Sequence, residues 1–148
     1  MTMNTSRVFV AVVGILLPYL ARLPGGADWL AQYSHGGPDA WLFLGGFNAI
    51  AWVAIVAISL LYRHAASLLA PSLLGFGFLA WAHGSLDLAS DAQAALALIF
   101  IPIYALLPIG VGGMVGYVMD RRLRRSHPVR PTKPSPAVPG NDSSSGTF

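Results

Sequence analysis

His83 and Asp87 stand four residues apart, the spacing that puts an imidazole and a carboxylate on one face of a helix. A carboxylate beside an imidazole raises its basicity and fixes its orientation, as a proton relay, a general base or a metal-ligand pair requires. Asp91 follows where the next apolar segment opens, so His83, Asp87 and Asp91 are the candidate catalytic residues. The same spacing recurs in His35-Gly36-Gly37-Pro38-Asp39, which precedes His83-Gly84-Ser85-Leu86-Asp87 by 48 residues, although the flanking residues align poorly. Against a catalytic reading, the chain has neither a zinc-protease spacing nor a pair of carboxylates deep in an apolar run. Interfacial polar residues facing water are therefore the weightier reading, and neither a metal site nor a cofactor is expected. The absence of cysteine removes thiolate nucleophiles, disulfide exchange and Cys-ligated centres.

The elements that carry these residues are long and apolar. Of 148 residues, 55% are hydrophobic and only 10% charged, against roughly a quarter charged in a soluble domain. Residues 40–62, 65–86 and 92–119 are uncharged runs that exceed the ~20 residues needed to cross a bilayer as a helix. Residues 8–21 give only 14 uncharged positions, about 21 Å of helix, and span only if Arg7 and Arg22 snorkel. The fold expected is all-α, a four-transmembrane-helix bundle over residues 1–125 with helices at about 7–23, 40–62, 66–87 and 91–119. A disordered cytoplasmic tail rich in Pro and Ser follows over 126–148. The first segment has the outline of a signal peptide, but Tyr19 and Arg22 spoil the cleavage site, so a retained helix is preferred.

Charge sets the orientation. Arg7, Arg63 and the cluster Arg121, Arg122, Arg124 and Arg125 fall on one side, while Asp28, Asp39, Asp87 and Asp91 fall on the other with Arg22. Arg-rich ends stay cytoplasmic, which gives both termini inside. The net charge of +3 is concentrated after the last apolar run, where six of the nine basic residues lie. Such a patch reads as a topology anchor on the lipid bilayer, not as a nucleic-acid site. Glutamate is absent and Lys occurs once, a usage that suggests a bacterial cytoplasmic (inner) membrane protein. Residues 23–39 are read as an outer loop dipping Trp29 and Tyr33 into headgroups, in preference to a short interfacial helix capped by Asp28. Ser90 and Gln93 match a capping box that starts the last helix near Asp91.

Two further features concern contact. In the last apolar segment Pro102 and Pro108 bend the helix, and Gly112-x-x-x-Gly116 places two glycines on one face for close helix approach. Packing within the chain is preferred over dimerisation. Asn48 is the deepest strongly polar side chain and reads as an interhelical hydrogen-bond donor more readily than as a substrate ligand. These features favour a non-enzymatic interaction, assembly or protective subunit that binds another membrane protein or itself. The alternatives are a subunit of an oligomeric transporter or channel, and an outer-leaflet enzyme built on the His/Asp cluster.

Overall fold

The computed structural model describes residues 2–34, 36–89 and 93–126, and among them every regular element is helical. The elements are α1 (Met3–Leu20), α2 (Ala27–Ser34), α3 (Gly37–Ser59), α4 (Leu69–Ser85) and α5 (Ala94–Ser126). Short 3-10 turns at Leu23–Gly25 and Ala65–Leu68 lead into α2 and α4. Four stretches, Met3–Gly25, Gly37–Ser59, Ala65–Ser85 and Leu96–Ser126, are long and apolar enough to cross a membrane.

The helix ends follow local chemistry more closely than hydropathy. α1 begins at Met3, well before the expected residue 7, because the Thr2 hydroxyl accepts from the Thr5 N–H at 3.3 Å. α3 begins at Gly37, three residues before the apolar run, with Pro38 pre-set for the first turn and Asp39 on the positive end of the helix dipole. α5 runs on past residue 119 to Ser126, since arginine is a good helix former and cations favour a helix C-terminus. The outer connection is a correction: residues 27–34 form the helix α2, not the loop preferred from sequence. The Ser90 capping box with Asp91, His35 and the tail from His127 onward lie outside the described residues.

Packing closes a four-helix ring in which α1 and α5 each lie against both α3 and α4. The inward stripe of α3 is Leu44, Asn48, Ala51, Ile55 and Ser59, spaced by three or four residues as one helical face requires. Ile55, Leu79, Ala105 and Ile109 fill the centre and are at most 1% exposed. The opposite faces are equally apolar: Leu73 and Leu107 are 70% and 75% exposed, and Val53 and Met114 also point outward. A surface apolar on both faces of its helices suits a hydrocarbon solvent and not water.

Glycines set the closest approaches. A Cβ on Gly112 would sit 2.6 Å from the Pro71 Cα, and one on Gly116 would collide with the Ser67 carbonyl. The Gly112/Gly116 pair is thus spent on the start of α4, within the chain. Gly45, Gly46, Gly77 and Gly110, by contrast, face open space.

Candidate functional site

The residues with chemical potential gather in three places, one at each end of the bundle and one in its interior. At the end that carries α2, Arg22 follows α1 and turns inward, and is 1% exposed. Its guanidinium donates to the Trp29 carbonyl at 2.8 Å, to the Gln32 side-chain oxygen at 2.9 Å and to the Leu86 carbonyl at the end of α4. It also lies 3.8 Å from the Tyr33 ring centroid and 5.1 Å from that of Trp29, both within cation–π range. Arg22 is therefore covered by protein groups from α2 and the end of α4, and Met3–Gly25 remains long and apolar enough to cross a membrane. Arg22 pins α2 as a lid over the ends of α1 and α4.

His83 lies beneath this lid, fully buried, with Nδ1 2.9 Å from the Tyr33 hydroxyl and Nε2 without a hydrogen-bond partner among the described residues. Burial pushes the Tyr33 phenol above its ordinary value and the Arg22 charge pulls it partly back, so the hydroxyl stays protonated. Asp87 turns elsewhere: its Oδ1 accepts from the Gln32 amide at 3.0 Å and from the Ala89 N–H at 3.0 Å. Gln32 closes the network by accepting from the Leu88 N–H at 3.1 Å. The structure thus brings His83 and Asp87 to the same end, but bonds each to a different residue of α2. Among the described residues no group of three His, Cys, Asp or Glu side chains is placed to hold a metal ion.

In the interior, Asn48 donates from Nδ2 to the Gly14 carbonyl of α1 at 2.6 Å. The partner has a physical origin. In a regular helix the Gly14 carbonyl would accept from residue 18, but that residue is proline and has no N–H. Asn48 supplies the donor that Pro18 lacks, from a neighbouring helix, where no water would otherwise do so. Trp52, one turn further along α3, packs directly against Gly14.

The opposite end turns on Asp120, a residue that sequence reasoning passed over. It projects from α5, is fully buried, and accepts at Oδ1 from the N–H groups of Arg63 and His64 at 3.0 and 2.8 Å and pairs with His64 Nδ1 at 2.9 Å. Oδ2 accepts from Arg124 Nε at 2.7 Å, one helical turn on. Arg124 also donates to the Leu61 carbonyl, and Arg7 donates to Ser59 Oγ at 2.9 Å and to the Ser59 carbonyl at 3.2 Å. Two guanidiniums from different helices therefore satisfy the open carbonyls at the end of α3. Tyr62 completes the node, donating to the Gly113 carbonyl at 2.8 Å. Burial, and then the Asp120 charge, raise its phenol and keep it a donor. The signal available in sequence was an aspartate four residues before an arginine at the start of a basic run.

Of the anchor residues, Arg124 is thus engaged, while the side chains of Arg121, Arg122 and Arg125 are exposed and carry no hydrogen bond or ion pair among the described residues. No family model, no curated protein and no solved structure matches this chain.

Proposed function

We propose that the chain is an integral protein of a bacterial cytoplasmic membrane, with both termini cytoplasmic, that acts without catalysis by binding another membrane protein through its outward helical faces. One observation carries this reading: among the described residues, the candidate chemical groups are engaged in holding the fold. His83 is tied to Tyr33, Asp87 to Gln32, Asn48 to the carbonyl orphaned by Pro18, and Asp120 to the α3–α4 turn. A general base must itself reach the substrate proton and is commonly oriented by a second group, and His83 and Asp87 do not form such a base–orienter pair.

Charge supports the orientation, since Arg7, Arg63 and the α5 cluster share one end while Asp28, Asp39 and Asp87 share the other. The packed interior argues against a conduit through a single copy, because Ile55, Leu79, Ala105 and Ile109 occupy its axis. The Gly112/Gly116 pair is used within the chain, which moves any partner to the outward faces.

The test is affinity purification of the tagged full chain from its native membrane in mild detergent, followed by mass measurement of the intact assembly. A defined second protein in fixed stoichiometry is expected. A homo-oligomer with no second protein would overturn the reading in favour of transport between copies.

A further inference from the structure

The end of the bundle that carries Asp120 is electrostatically one-sided for a structural reason. Among the described residues Asp120 is the only acid there, and it is fully buried and paired with Arg124 and His64. Its charge is consumed inside the node. Arg63, Arg121, Arg122 and Arg125 are exposed around it, and their side chains make no hydrogen bond or ion pair among the described residues.

An apolar groove leads to this basic surface. It runs between α3 and α5, holds about 560 Å³, and is lined by Ile58, Leu61, Gly110, Met114, Tyr117 and Val118. On α5 the positions 110, 114, 117 and 118 form one stripe, and the 3.6-residue repeat carries that stripe on to Arg121 and Arg125. Arg121 stands one turn, ~6 Å, beyond Tyr117. Gly110 leaves the end of the groove away from the arginines open, with nothing within 4 Å of where a Cβ would be. A second shallow groove, lined by Met114, Val115, Val118 and Met119, ends in the same way at Arg122. The larger groove between α1 and α4 has only Ser6 and Ser72 as polar-side-chain lining and no cation, so it offers no headgroup preference.

We propose that the α3/α5 groove seats the acyl chain of an anionic phospholipid whose phosphate is held by Arg121 and Arg125. The occupant follows from complementarity. The groove is wholly apolar where hydrocarbon would lie, and its continuation carries guanidiniums, whose planar fork bonds phosphate oxygens, at the level of the headgroup. The proposal rests on the membrane reading above, and the experiment separates the two.

The full chain is reconstituted into vesicles of equal phosphatidylglycerol and phosphatidylcholine and washed with alkaline carbonate. It is then re-extracted in mild detergent for mass measurement of retained lipid. Release by carbonate would overturn membrane insertion itself, and this proposal with it. For inserted protein, the expected result is about tenfold enrichment of phosphatidylglycerol over phosphatidylcholine. That enrichment should fall to near unity in Arg121→Gln/Arg125→Gln and several-fold in Gly110→Leu, which fills the groove without meeting a neighbour. Equal retention of the two lipids, or a preference that survives the double arginine change, would overturn the proposal. So would full retention in Gly110→Leu, which would reduce the effect to diffuse charge attraction, or displacement of the lipid by excess soluble glycerol phosphate.

Discussion

Asn48 and Pro18 form a pair whose logic can be tested by a double-mutant cycle. Asn48→Ala leaves the Gly14 carbonyl without a donor and should cost about 1–2 kcal/mol in detergent-solubilised protein. In a Pro18→Ala background the helix recovers its own N–H at residue 18, and the cost of Asn48→Ala should shrink markedly. Equal costs in both backgrounds would remove the compensation argument. At the other end, Asp120→Ala strands the N–H groups of Arg63 and His64 and should lower stability by about 2 kcal/mol or more, read as a drop in thermal midpoint. Tyr62 adds a pH signature. Its phenol is raised in the fold, so the unfolded chain loses the proton first, near the ordinary phenol value of about 10. The stability it contributes is complete below that pH and declines as pH rises through it. The gap in melting temperature between the native chain and Tyr62→Phe should therefore narrow above pH ~10. At this scale the sequence was partly legible. The interhelical role of Asn48 could be read from an amide in an apolar run, whereas the inward turn of Arg22 could not, because its acceptors come from α2 and from beyond α4. Asp120 was obscured by the basic run around it.

Among elements, the four apolar helices were legible because hydropathy over some twenty residues is a property of composition alone. Several of their ends were not, since capping by Thr2, the first-turn Pro38 and the helix-forming arginines of α5 extend α1, α3 and α5 beyond the apolar runs. α2 escaped the preferred reading because eight residues carry too little periodicity to separate a short helix from an aromatic loop. The two glycine classes on α5 give the sharpest test of how the helices meet. Gly112→Leu and Gly116→Leu each drive a side chain into the backbone of the α4 entry and should destabilise by well over 1 kcal/mol, with loss of protease resistance in detergent. Gly110→Leu, on the same helix but facing open space, should melt within about 0.5 kcal/mol of the native chain. Equal effects at all three positions would mean that α5 does not present this face to α4.

For the whole molecule, the arrangement has one economy: basic side chains tie down helix C-termini at both ends, and the outer surface between them is apolar. Arg7 and Arg124 close α3, and Arg22 closes α4. The end with α5 keeps further arginines exposed, and the end with α2 keeps Asp28 and Asp39 exposed. That asymmetry is the basis of the proposed orientation, and the cysteine-free chain allows it to be tested directly. Single cysteines are placed at Ala89, exposed after α4, and at Ser143 in the tail, and intact spheroplasts are treated with a membrane-impermeant maleimide. Ala89→Cys is expected to label in intact spheroplasts and Ser143→Cys only after permeabilisation. Labelling of Ser143→Cys from outside, or protection of Ala89→Cys until the membrane is opened, would contradict it.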